Sequence, residues 1–194
     1  MKRCIYFVLL GFFATASVAE EPVKRPDNYT TIRLTISNDQ AEILMRETQF
    51  GWMTPALRYQ SRQTLATLLH EMAAAHGVCI SEPVLSGVFT YQYEFNDTMS
   101  TGLFYSAKYV SGDLKPGADD RQVQWMNTEQ ALEKLRSTVP SLAAMTRQVL
   151  HCPDTVWGGA FELRRKDGKL DSIAVRDFYD LCQPQMTTRC PSTP

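Results

Sequence analysis

The run Trp52–Gly77, WMTPALRYQSRQTLATLLHEMAAAHG, decides how the rest of the chain is read. Its first part, through Pro55, has no helical period. From Gln63 onward Leu65, Leu68, Leu69 and Met72 recur at i, i+3, i+4 and i+7, the spacing that lines one face of a helix. The pattern predicts a helix over Gln63–His76. Gly77 stops it, because glycine takes the left-handed conformation that closes helices. Away from the apolar stripe, Glu71, Ala74 and Ala75 fall at i, i+3 and i+4 and share a second face.

Working outward toward the N-terminus, Tyr29–Ser37 alternates and is β-branched, so it reads as a strand. Asn38-Asp39-Gln40 is a turn, Ala41–Glu47 the returning strand of a hairpin, and Gln49–Arg62 a loop or extended segment. Toward the C-terminus, Val84–Phe95 and Thr101–Val110 alternate on either side of a polar turn and form a long hairpin. Ser111–Asp120, with Gly112, Pro116 and Gly117, is a loop. Val123–Met126 is a short strand. Thr128 caps a helix over Glu129–Leu135, and Pro140-Ser141 opens another over Leu142–His151. Leu142, Met145, Val149 and Leu150 form the apolar side of that second helix. Finally, Ala160–Arg165 and Leu170–Arg176 flank Asp167-Gly168, the dipeptide that favours a tight hairpin turn. Strands, helix, strands, helix and a last hairpin predict a mixed α/β or α+β domain with helices layered on a sheet.

Composition is that of an ordinary globular domain, with 44% hydrophobic and 21% charged residues. The net charge of −1 gives no field that would draw nucleic acid or an anionic membrane. Met1–Ala19 has a basic start, a short apolar run Ile5–Phe13 and small residues Ser17-Val18-Ala19, the pattern of a secretory signal peptide. Residues 20–28 then form a flexible leader, 29–152 the main domain and 153–194 a C-terminal extension. Cleavage implies a periplasmic or secreted protein with no membrane segment left. Without Lys2 and Arg3 the charge moves from −1 to −3.

Export gives meaning to the cysteines left after cleavage, Cys79, Cys152, Cys182 and Cys190, because an even set in an oxidising compartment suggests disulfides. The preferred pairing joins Cys79 to Cys152 and Cys182 to Cys190. A tail stapled back onto the core is the alternative.

The ordered set resembles the Nudix fold, an α/β/α sandwich around a mixed sheet, over roughly residues 29–151. The hairpin before Trp52-x-x-Pro55, the helix ending in Gly77, the central hairpin, and Asp119-Asp120 followed by QVQWMNTEQALEKL carry the likeness. The family box runs G-x5-E-x7-R-E-U-x-E-E-x-G-U, with U a bulky apolar residue. Against it stand Ala56, Arg62, His70, Glu71, Met72, Ala74, Ala75, Gly77 and Val78. Glu71, Met72, Gly77 and Val78 match; Ala74 and Ala75 replace the glutamate pair.

The resemblance implies cleavage of a diphosphate linked to a nucleoside, with Mg²⁺ neutralising phosphate and activating water. Magnesium is a hard ion that takes carboxylate oxygens. Glu71 alone remains on the helix face, and two methyl groups cannot ligate a cation. The expected function is therefore an exported binding or interaction module that takes a protein partner or a nucleotide-like small molecule, with no cofactor. The alternative is a divergent hydrolase in which Glu71 acts catalytically and Glu71, Asp119 and Asp120 hold Mg²⁺, with Glu94 a further nearby acid. An unrelated α+β protein with the same pattern is the third reading. Zinc is disfavoured: His70 and His76 lie about 240° apart around a helix. His76 instead suits the helix C-terminus, where a cation is favoured. Tyr91, Tyr93, Phe95, Phe104, Tyr105 and Tyr109 read as core or cross-strand pairs, some of them lining a cleft.

Overall fold

Alternation along the strands builds one curled sheet with a helical layer on each side. The computed structural model describes residues 29–60, 62–95 and 97–183. Met1–Ala19, the leader and Cys190 lie outside them.

The strands run in the order β10-β9-β6-β7-β1-β2-β3. Here β1 is Tyr29–Ser37, β2 Glu42–Thr48, β3 Gly51–Met53, β6 Val84–Tyr93, β7 Met99–Gly112, β9 Trp157–Lys166 and β10 Lys169–Asp180. Three shorter strands attach to this path: β4 (Ala56–Arg58) on β1, β5 (Val78–Ile80) on β7 and β8 (Gln122–Asn127) on β2. The central pair, β1 and β7, is parallel from Tyr29↔Ser100 to Ser37↔Lys108, and β6 with β9 is also parallel. The remaining pairs are antiparallel, so the sheet is mixed.

On one face α1 (Leu65–Ala75) packs Leu68, Leu69, Met72 and Ala73 against Ile32, Leu34 and Ile36 of β1 and Leu44 of β2. An eleven-residue helix is marginal in water. Burial of each of its large apolar side chains, at about 1.5–3 kcal/mol, holds it in place. On the other face α2 (Thr128–Thr138) and α3 (Pro140–His151) cover Ile43, Met45, Phe89, Tyr91, Phe104, Phe161 and Leu163. Ile43 and Met45 face one layer and Leu44 the other, as strand geometry requires.

Several boundaries differ from those the sequence predicts. The Gln49–Arg62 loop contains β3 and β4, whose three-residue lengths leave no period to read. The cap of α2 is Asn127, whose side chain accepts from Gln130 N at 2.9 Å; Thr128 instead donates its hydroxyl to Ala41 O. The last hairpin is longer than expected, and its turn holds Asp167 and Gly168 at φ 51° and 75°, the left-handed pair that an Asp-Gly turn supplies. Phe178, beyond the predicted strand, lies in β10 and packs 6.0 Å from Phe89, ring centre to ring centre.

Cys79 and Cys152 are both free thiols, so the preferred bridge between them is not formed. The reason is topological: Cys79 sits exposed on β5 in the α1 layer, whereas Cys152 caps α3 in the opposite layer. Cys182 has no disulfide partner among the described residues, and its proposed partner Cys190 lies outside them.

Candidate functional site

The box helix begins at its cap, Thr64, which accepts from Thr67 N at 3.3 Å, and ends at His76. Gly77 follows at φ 82°, where a Cβ would come within 2.0 Å of the Asp113 carbonyl oxygen. The glycine of the box is thus required both by conformation and by the close approach of the loop after β7. Lys115 N donates to His76 O at 3.0 Å and completes that approach.

Glu71 points to solvent, as do Ala74 and Ala75. Its carboxylate accepts from Gln63 Nε2 at 2.9 Å. His70 lies 3.7 Å from Glu82 in an exposed pair. Glu94 is exposed at the end of β6. Among the described residues, no three His, Cys, Asp or Glu side chains are grouped so as to hold a metal ion.

Asp119 and Asp120 diverge. Asp119 is exposed on the rim of a cleft of about 620 Å³ that Arg46, Phe50, Asp120 and Arg121 also line; Glu71 is not on that rim. Asp120 turns inward, its side chain 1% exposed, with Oδ1 2.8 Å from Arg46 Nε and Oδ2 3.5 Å from His76 Nε2. Oδ2 also accepts from Gly117 N at 2.9 Å. The two contacts from Arg46 and His76 lack hydrogen-bond alignment, and His76 keeps both ring nitrogens unpartnered. Burial lowers the His76 pKa. Asp120 pulls it upward and Arg46 pushes it down again, and the net shift is downward. The imidazole is therefore held toward its neutral form. The cation expected at this helix end is displaced by desolvation.

Sequence reading missed the most unusual charge in the domain. Arg33, on β1 between Ile32 and Leu34, faces the α2/α3 layer and is 7% exposed. Its hydrogen bonds run from Nη1 to the Thr54 carbonyl at 3.2 Å and the Thr54 hydroxyl at 3.0 Å. No carboxylate pairs with it among the described residues, and Nε and Nη2 have no protein acceptor there. Its guanidinium carbon lies 5.7 Å from the centre of the Phe104 ring.

Arg33 lines a cavity of about 140 Å³ with Tyr91, Tyr93, Ser100, Phe104 and Leu142. Tyr91 donates to Met145 Sδ at 3.2 Å, and burial raises its pKa, so it stays a neutral phenol and is no counter-ion. Tyr93, pushed up to about 12 by burial, shares a proton chain with Ser100 Oγ at 2.9 Å and Tyr29 OH at 2.9 Å. That chain borders a second, wider cleft of about 470 Å³, which Tyr29, Arg58, Tyr59 and Ser100 line. Of the aromatic residues singled out in the sequence, Tyr91, Tyr93 and Phe104 line the cavity. Tyr105 and Tyr109 pack on the α1 side, and Phe95 is exposed.

No family model matches this chain, and no curated protein matches it in sequence. Solved structures do match in shape. A MutT protein from Bacillus halodurans is similar over 76% of this chain and 97% of its own, at 15% identity and a TM-score of 0.62. A Nudix hydrolase from Nitrosomonas europaea matches over 64% of this chain and 90% of its own, at 16% identity and TM-score 0.56. A MutT protein from Methanosarcina mazei matches over 67% of this chain and 97% of its own, at 13% identity and TM-score 0.53. At such identities the likeness is one of fold, and the fold is Nudix-like.

Proposed function

We propose that this Nudix-like domain is an exported binding module and not a standard magnesium-dependent diphosphate hydrolase. The observation that carries the reading is the outer face of the box helix, Glu71, Ala74 and Ala75. Magnesium keeps near-octahedral oxygen coordination and is held by carboxylates together with substrate phosphate. One carboxylate, already accepting from Gln63, is a poor donor set for it. Asp120 does not relieve the shortage, since Arg46 and His76 already face its two oxygens. The residues present do not fit the ion, and no hydrolytic step is drawn through it. What the fold retains is concavity: a small open-mouthed cavity on the sheet and a wider cleft beside it. Such features are what a small-molecule receptor needs. Export rests on the Met1–Ala19 pattern.

The test is titration of the mature chain with Mg²⁺ and Mn²⁺, with and without ADP-ribose, followed by a phosphate-release assay. The expected result is no metal-dependent release. Release that requires metal and disappears in Glu71→Gln would overturn the reading and make the chain a divergent hydrolase.

A further inference from the structure

A charged group taken out of water without a partner is among the costliest features a fold can carry. Arg33 comes close to this: among the described residues its partners are the neutral Thr54 and the face of Phe104, and no counter-charge meets it. Arginine does not escape by losing its proton, because its pKa starts too high. Burial lowers that pKa, and the guanidinium remains a cation. Nη1 is used on Thr54, Tyr91 is neutral, and Asp120 is engaged with Arg46 on the other side of the sheet. The remaining edge, Nε with Nη2, is the side-on fork that matches the two oxygens of a carboxylate.

We propose that the cavity beside Arg33 is a binding site for a small apolar monocarboxylate, an aryl or branched aliphatic acid whose carboxylate meets the free guanidinium edge. The proposal deepens the binding-module reading by naming a ligand class. Two properties of the cavity select the class. Its walls are mostly apolar, from Tyr91, Phe104 and Leu142, so the body of the ligand is apolar. Its volume of about 140 Å³ is close to that of cavities that take a benzene ring. A phosphate dianion fits less well. One guanidinium would leave a net negative charge among apolar walls, and the Tyr93–Ser100 pair already spends hydroxyl capacity on itself.

Benzoate is the probe and benzamide its neutral counterpart of the same shape. Both are titrated into the mature chain in the presence of EDTA, by calorimetry and by thermal shift, alongside inorganic phosphate. Saturable benzoate binding is expected, with benzamide and phosphate at least about tenfold weaker, the cost of losing a charge-assisted pair. Arg33→Met should lose benzoate by a similar factor or more, and Arg33→Lys should weaken it less. The native chain alone can sink the proposal: no saturation by about 10 mM benzoate, equal binding of benzamide, or tighter binding of phosphate would each overturn it. Unchanged benzoate affinity in Arg33→Met would do the same. Because metal is absent throughout, discovery of hydrolase activity would leave this result standing, and failure here would leave the loss of the metal face untouched.

Discussion

Arg33 and Arg46 stand on adjacent strands, β1 and β2, and both are largely withdrawn from solvent. Arg46 faces the α1 layer, where Asp120 meets it at 2.8 Å and the loop after β7 closes over the pair. Arg33 faces the α2/α3 layer and, among the described residues, meets no acid, only Thr54, the Phe104 ring and a cavity. The same side chain thus serves two ends. A charge balanced inside the chain fastens a loop to a helix end. A charge left unbalanced marks a place where something from outside completes the structure.

The largest expected difference lies in removing the internal partner. Asp120→Ala leaves Arg46 without its counter-charge and frees Gly117 N, and breaking a buried pair from one side costs about 3–5 kcal/mol. A urea midpoint within experimental error of the native chain would mean that the pair is a bystander. At Arg33 the cost is smaller. Replacing a buried polar group together with its partner by apolar groups of similar shape is near neutral or stabilising, whereas a buried acceptor left behind costs about 1–3 kcal/mol. Arg33→Met with Thr54→Val leaves only the Thr54 carbonyl without its donor and should therefore cost no more than about 1–3 kcal/mol. Thr54→Val alone should cost about 1–2 kcal/mol, since it takes a hydroxyl acceptor from a cation. If the double variant is as crippled as Asp120→Ala, Arg33 is a structural residue and the contrast collapses.

The parts of the fold that were legible are those with a period. The box helix announced itself through Leu65, Leu68, Leu69 and Met72, and three of these are buried while Leu65 packs at the edge. The Asp167-Gly168 turn was legible because its left-handed geometry admits few residues. The site was harder. In TTIRLTIS the apolar set Ile32, Leu34, Ile36 takes one face, so Thr31, Arg33 and Thr35 read as the solvent side of a half-buried strand. They are covered because α2 and α3 return over that face about a hundred residues later in the chain, and no local pattern encodes that cover. The signal that was available is weaker: two helices of amphipathic composition after β8 need a sheet face to bury against. His76 shows the same limit. Position at a helix end predicted a cation, and tertiary burial decided otherwise.

The smallest effect concerns His76 and probes the balanced side of the contrast at higher resolution. Three groups meet there: His76, Asp120 and Arg46. In the folded chain the imidazole pKa is lowered, chiefly by burial; in the unfolded chain it returns to about 6.5. Between those two values the unfolded chain binds a proton that the folded chain refuses, so stability rises with pH across that window. The contribution is fully present above about pH 6.5 and fades as pH falls through the folded value, with a slope of at most about 1.4 kcal/mol per pH unit. Comparing urea midpoints of the native chain and His76→Gln between about pH 5.5 and 7.5 isolates this slope from the carboxylates that titrate lower. The native chain should lose stability toward acid faster than the variant. The reverse order would mean that attraction to Asp120 outweighs burial. His76 would then be a second cation, and the acid at 120 would be balancing two charges while Arg33 has none.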